Sequence, residues 1–341
     1  MKVALFDRPH SLRVIEKPLR ALREGEILVK VEACGICGTD VHIVEGTSRS
    51  TPPVVLGHEY AGIVEDGGKT FSPLPSAKEG VRVAVDPNIA CGVCFYCRRG
   101  LVHLCSNLRA LGVDIDGGMA EYCIVPAHQA YVLPANVAPE VSAFVEPLSC
   151  AIHGIDRANI RAGDLVVILG GGTIGLLMLQ LARNAGAAAV IVVEPLAEKR
   201  TIASRLGAAL TIDPNTEDVH DTVLGRAPEG ADVVIECVGK TTTMQLAVQL
   251  ARRGGTVEFF GVSPLGVSIP IEPNLVYFKE LSIVGSYINP HTFDRSIALL
   301  QGGVVNIEQF IIHNFPLAGV QDALEHQRGG KTLKSIVRPH M

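Results

Sequence analysis

The chain has 341 residues, 48% of them hydrophobic and 19% charged, which excludes a disordered polymer and is too long for one ordinary core. Its net charge of −5 argues against nucleic acid or an anionic membrane surface as partner. No uninterrupted apolar run reaches membrane-spanning length, and Met1-Lys2-Val3-Ala4-Leu5-Phe6-Asp7-Arg8-Pro9 lacks a signal-peptide core, so a cytoplasmic enzyme is expected.

Residues 1 to about 150 read as β-rich. Apolar runs at 3–6, 27–31, 81–85 and 120–125 are short and broken by Pro, Gly and Asp, with no sustained helical period. A compact barrel-like domain is expected there. Near Phe144 the texture changes. Strands are expected at 165–169, 189–193, 209–212, 233–236, 257–260 and 281–285, with helical patterns between them. Ile174, Leu177, Met178, Leu181, Ala182 and Ala185 share one helix face. Such alternation predicts an α/β domain with a doubly wound parallel sheet over 151–288. A helix at 293–300 and a strand at 335–338 close the chain in a third segment, 289–341.

The chemistry concentrates in Cys34-Gly35-Ile36-Cys37-Gly38-Thr39-Asp40-Val41-His42 and in Gly57-His58-Glu59. Thiolate, imidazole and carboxylate from Cys37, His58 and Glu59 suit a zinc ion with one position left open. An alcohol on such an ion would be acidified, and Thr39 and His42 could pass its proton to water. Other readings stand beside this one. Cys34-x-x-Cys37 is also the spacing of a redox pair, although no thioredoxin-like pattern surrounds it. On a regular strand His58 and Glu59 would point to opposite faces, so both reach one metal only if the backbone is irregular.

Cys91, Cys94, Cys97 and Cys105 follow C-x₂-C-x₂-C-x₇-C. Four thiolates close a tetrahedral shell, as in a structural zinc site, and an iron–sulfur cluster is the competing use of this spacing. Cys123, Cys150 and Cys237 have no partner spacing and read as buried thiols. Glu146, before Pro147 where the two textures meet, reads from its neighbours alone as a solvated turn. Gly170-Gly171-Gly172-Thr173-Ile174-Gly175 fits G-x-G-x-x-G between an expected strand and helix, the context of a dinucleotide pyrophosphate site. Glu194, nineteen residues past Gly175, is placed to accept from an adenosine 2′-hydroxyl, which favours NAD over NADP; Lys199 and Arg200 beside it pull the other way. Cys237-Val238-Gly239, Phe260-Gly261-Val262 and Gly285-Ser286-Tyr287 end later strands, where such sheets bind ligands.

Cys37 with Gly38-Thr39-Asp40, and Gly57-His58-Glu59-Tyr60-Ala61-Gly62, resemble the zinc-containing alcohol dehydrogenases of the medium-chain dehydrogenase/reductase superfamily, over essentially the whole chain. The resemblance implies a GroES-like catalytic domain (1–150 and the C-terminal return) and a Rossmann NAD-binding domain. It implies one catalytic and one structural zinc per chain. Cys37, His58 and Glu59 match the catalytic metal's surroundings, Asp40 matches a carboxylate that orients the histidine, and Thr39 and His42 match a proton relay. Lys199 matches a ribose contact, Val238 and Val262 match turns that line the nicotinamide, and Lys334 matches a basic residue on the pyrophosphate. Glu146 in Glu-Pro-Leu-Ser resembles the sorbitol dehydrogenase-like branch, where glutamate replaces a cysteine ligand, directly or through water. The implied substrate is a polyol or sugar alcohol. L-Threonine 3-dehydrogenase and a general secondary-alcohol dehydrogenase are the rival activities, and a non-catalytic zinc-stabilised NAD-binding protein is the rival class. A homotetramer or homodimer is implied. Two stretches depart from the family: Gly80-Val81-Arg82-Val83 replaces its usual Gly-Asp-Arg-Val, and 69–78, with two prolines, suggests a local loop change.

Overall fold

The computed structural model describes residues 1–69, 75–330 and 332–341, so half of the departing loop at 69–78 lies outside the described residues. The chain divides into two compact units. One comprises Met1–Ser149, Pro290–Gln301 and Ile311–Met341; the other comprises Cys150–Asn289 and Gly302–Phe310. Among the described residues no helix is long and apolar enough to cross a membrane.

The first unit is built on a seven-stranded sheet. Its centre is the strand Glu26–Gly35, flanked by Glu59–Asp66 and by the C-terminal strand Lys334–Arg338. The antiparallel register sets Gly35 opposite both Glu59 and Ile336. Residues almost 280 positions apart in sequence are thus neighbours at one end of the sheet. Alternate side chains of these strands, including Ile27, Val29, Val31, Tyr60 and Val337, bury into one apolar core with Phe6, Ile36 and Leu56. That core holds the strand ends rigidly, a requirement for any site built on them.

The second unit carries six parallel strands. They are β1 (Leu165–Leu169), β2 (Ala189–Val193), β3 (Leu210–Ile212), β4 (Ala231–Glu236), β5 (Ala251–Phe259) and β6 (Ser282–Gly285). Their order is β3-β2-β1-β4-β5-β6, so the topology reverses between β1 and β4, the place where doubly wound sheets bind dinucleotides. Val167, Leu169, Ile191, Val193, Val234 and Val257 fill the core. These near-continuous β-branched and leucine runs are what a sheet covered on both faces requires.

The tight packing of helix Thr173–Asn184 onto β1 depends on Gly175. A Cβ there would lie 1.8 Å from the Gly170 carbonyl oxygen. Gly175→Ala is therefore expected to cost about 1–3 kcal/mol by overpacking, read as a lower midpoint in thermal denaturation. An unchanged midpoint would contradict this packing.

Candidate active site

Cys37 caps the helix Gly38–Val44, and Asp40 returns one carboxylate oxygen, Oδ2, to the Cys37 N–H at 2.8 Å. This closes a reciprocal turn of the capping-box kind and fixes where the thiol begins. Thr39 and His42, three residues apart, lie on the same side of this helix. His58 precedes the strand Glu59–Asp66 and follows Gly57, whose φ of +94° is open to glycine. The irregular backbone needed for His58 and Glu59 to act together is therefore present. Donor atoms of Cys37, His58 and Glu59 all lie within 4.8 Å of one another.

The surroundings of this trio suit a cation. His58 Nδ1 faces Asp40 Oδ1 at 3.4 Å; both atoms are buried, and neither makes a well-formed hydrogen bond. A carboxylate behind the imidazole leaves Nε2 to act as a metal ligand. Burial opposes a charge on His58, but Asp40 and the Cys37 sulfur outweigh it and hold the imidazole well above its ordinary range. Glu59 also meets Lys334, whose Nζ lies 2.5 Å from Oε2 and 3.3 Å from the Ile36 carbonyl. Lys334 is 3% exposed. Burial works against its charge, yet Glu59 and Cys37 keep the ammonium above its usual range. The resemblance matches Lys334 to a cofactor contact; in the structure its ammonium is paired with Glu59. Nothing in the local sequence signals that pairing, because strand register across the sheet creates it.

Glu146 is not a solvated turn. It sits in the first turn of helix Val145–Ala158, 7% exposed, with Pro147 at a position where the missing N–H costs nothing. Its charge helps to raise Lys334, although its carboxylate lies outside the three-donor group. Cys34 is buried with its thiol toward the Gly35 carbonyl, and Cys37 is likewise a free cysteine. The redox-pair reading of Cys34 and Cys37 therefore finds no support in the geometry.

Cys91, Cys94, Cys97 and Cys105 bring four sulfurs within 4.8 Å of one another. Cys94 Sγ is 3.5 Å from that of Cys97 and 3.9 Å from that of Cys105. A zinc with bonds of about 2.3 Å spaces tetrahedral sulfurs about 3.8 Å apart. The set thus fits a single ion, whereas an iron–sulfur cluster spreads its cysteines over several irons. N–H groups of Cys91 and Asn107 each donate to Cys105 Sγ at 3.3 Å. N–H groups of Cys97 and Ser106 lower the Cys94 thiol to about 6, whereas burial and the neighbouring thiols push that of Cys97 up to about 12. Of the unassigned thiols, Cys123 is buried, whereas Cys150 and Cys237 are only partly so.

In the second unit Gly170 has φ +104°, and Gly172 precedes helix Thr173–Asn184 with open space where a Cβ would stand. Backbone N–H groups at that helix start, including those of Thr173 and Ile174, are the donors a pyrophosphate needs. Glu194 is buried at the end of β2; its carboxylate accepts from Gly171 N and Leu196 N, each at 2.9 Å. Each oxygen keeps a further lone pair for a ribose hydroxyl. Arg200 is engaged by the Glu194 and Pro195 carbonyls and by Asp213 at 2.9 Å, and Lys199 is buried with its ammonium pulled below the usual range by that burial. Val238 and Val262, at the ends of β4 and β5, are 40% and 76% exposed.

Three donors grouped closely enough to hold a metal ion in one unit and a dinucleotide-type sheet in the other fit the zinc-dependent medium-chain dehydrogenases. Residues 23–135 match the alcohol dehydrogenase GroES-like domain family, and residues 173–302 match the zinc-binding dehydrogenase family. The chain is 31% identical to D-arabinitol dehydrogenase 1 of Uromyces fabae, over 100% of this chain and 97% of that protein. It is 37% identical to L-threonine 3-dehydrogenase of Pyrococcus furiosus, over 92% of this chain and 90% of that protein. A Sinorhizobium meliloti 1021 structure, described as a zinc-binding dehydrogenase and solved with NADP, shares 42% identity over 99% of both chains, with a TM-score of 0.95. The chain belongs to the zinc-dependent alcohol dehydrogenase family and is an oxidoreductase.

Proposed function

We propose that this protein oxidises a secondary hydroxyl of a polyol or sugar alcohol to the ketone, with NAD taking the hydride and one proton released. The observation that carries the reading is the grouping of Cys37, His58 and Glu59 within 4.8 Å, with Thr39 and His42 on the helix that Cys37 caps. Cys37, His58 and Glu59 would hold the catalytic zinc, with Glu146 joining directly or through water. That ion would supply Lewis acidity toward the substrate hydroxyl. Thr39 would take the hydroxyl proton as it gives up its own, and His42 would take up the relayed proton and release one to solvent. Asp40 keeps His58 in one ring orientation, and Lys334 balances the charge of Glu59. Gly170, Gly172, Thr173, Ile174 and Gly175 would hold the cofactor's pyrophosphate and Glu194 its ribose.

The engagement of Arg200 by Asp213 supports NAD over NADP, because that guanidinium is not free for a 2′-phosphate; the NADP in the S. meliloti relative weighs the other way. The carboxylate-rich shell and the arabinitol dehydrogenase relative support a polyol. The second reading is threonine 3-dehydrogenase, favoured by the identity to the P. furiosus enzyme. The test is formation of reduced cofactor from NAD or NADP with D-arabinitol, sorbitol, xylitol, ribitol, threonine and 2-butanol. Turnover of a polyol with NAD supports the proposal, and turnover of threonine alone replaces it with the second reading. Silence across the panel with zinc and NAD bound would point to a substrate outside it, such as a phosphorylated sugar alcohol.

A further inference from the structure

Glu236, the last residue of β4, is fully buried, yet none of the roles above uses it. One oxygen, Oε1, accepts from Val238 N at 2.8 Å, Gly239 N at 2.9 Å and Thr243 Oγ1 at 2.7 Å. Oε2 lies 3.1 Å from Gly239 N. The main-chain carbonyl of the same residue accepts from Phe260 N at 3.0 Å and Gly261 N at 2.8 Å. One residue therefore ties the turn after β4 to the turn after β5.

The packing around it leaves no slack. A Cβ on Gly261 would lie 2.3 Å from Gly239 N and 2.6 Å from Glu236 Oε2. A Cβ on Gly170, in the loop after β1, would lie 2.8 Å from the Val238 side chain. The carboxyl ends of β4 and β5 thus meet at this carboxylate, and the loop after β1 packs against the Val238 side chain of the turn it holds. A buried charge is costly unless it is met by donors, and an apolar residue at a strand end would be cheaper. What the carboxylate adds is a fixed backbone for Val238 and Gly239, with exposed Val238 and Val262 as two apolar faces at the ligand end of the sheet.

We infer that Glu236 is the positioning residue for the nicotinamide end of the cofactor, fixing the turn that presents Val238. This rests on the NAD-binding reading above. In Glu236→Gln the amide oxygen can take the Oε1 place and still face Val238 N, Gly239 N and Thr243 Oγ1, but the negative charge is gone and the NH₂ group meets the Gly239 N–H from the Oε2 place, so the turn is held less firmly. In Thr243→Val the carboxylate stays and loses only one donor.

The test is titration of the zinc-loaded protein with NADH, followed by its fluorescence, and with ADP-ribose, which lacks the nicotinamide ring. Glu236→Gln is expected to weaken NADH by about tenfold or more, the effect of losing a charge-assisted hydrogen bond. ADP-ribose should stay within about twofold, and Thr243→Val should show a smaller shift in the same direction. Equal weakening of both ligands, or of neither, in a variant with wild-type circular dichroism would overturn the inference. If Glu236→Gln does not fold, an unchanged NADH affinity in Thr243→Val overturns it. Wild-type protein that binds ADP-ribose but not NADH would also overturn it, and wild-type protein that binds neither would overturn the NAD reading itself.

Discussion

Cys37→Ser is expected to lower turnover by about 10³-fold or more, because a metal centre contributes several kcal/mol of charge stabilisation in the transition state. Zinc content should fall by one ion per chain, since serine is a much poorer zinc ligand than thiolate. Affinity for NADH should stay near wild type, because Gly170–Gly175 and Glu194 belong to the other compact unit. The measurement is steady-state turnover alongside metal analysis and NADH titration on one preparation. A variant that keeps both zinc ions, or that stays within tenfold of wild-type turnover, would contradict the assignment of Cys37.

The second large effect concerns Glu258, on β5, fully buried with both carboxylate oxygens lacking a hydrogen-bond partner. A Cβ on Gly154 would lie 2.9 Å from Glu258 Oε1. Burial pushes its carboxyl up to about 8; the nearby Ser286 hydroxyl, too poorly placed for a full hydrogen bond, and Arg157 offset this only in part. The unfolded chain loses this proton near the ordinary glutamate value of 4.5. Between those two values the folded state binds more protons than the unfolded state, so stability falls as pH rises from about 4.5 to about 8 and this contribution is constant above that. Glu258→Gln should flatten that slope and raise stability at pH 8 by about 2–4 kcal/mol, less whatever the buried amide costs in its turn. Thermal midpoints of both proteins from pH 5 to 9 test this. A slope of equal size in the variant would show that Glu258 is not its source.

Much of the second unit is legible in the sequence. The runs at β1 and β2 are continuous β-branched and leucine segments, and the glycine motif between them leaves little freedom for anything but a strand, a tight turn and a helix. The four-cysteine loop is legible too, since sequence spacing alone brings its sulfurs together. The open metal shell is only half legible. Cys37, His58 and Glu59 stand out by type, but their convergence depends on the left-handed backbone at Gly57, which no periodicity reveals. The helix Gly38–Val44 is too short to show a repeat; its one signal is the Cys37-x-x-Asp40 cap. Glu146 reads as a turn because it precedes proline, yet proline in a helix's first turn is compatible with both.

Contacts made by strand register leave no local trace. Lys334 meets Glu59 only because the last strand returns beside Glu26–Gly35, 275 residues from its ion partner. Gly302–Phe310 belongs to the second unit although the segments on either side of it belong to the first. There Asn306 exchanges hydrogen bonds with Gln180, its N–H donating at 2.6 Å and its carbonyl accepting at 3.4 Å. Glu258 is the opposite case, a polar residue at a strand position that the local pattern would fill with an apolar one. Its cost becomes visible only with its surroundings.

In the proposed function, catalysis resides at Cys37, His58 and Glu59 and not at the four-cysteine loop. The most direct test is stepwise removal of zinc with a chelator, measuring oxidation of the active alcohol against zinc remaining per chain. The shell with one sulfur is harder and more labile than the four-sulfur shell, so its ion should leave first. Activity should vanish with that first ion and return when zinc is restored, while the four-sulfur ion stays in place. Full activity in protein that retains only the four-sulfur zinc would contradict the account.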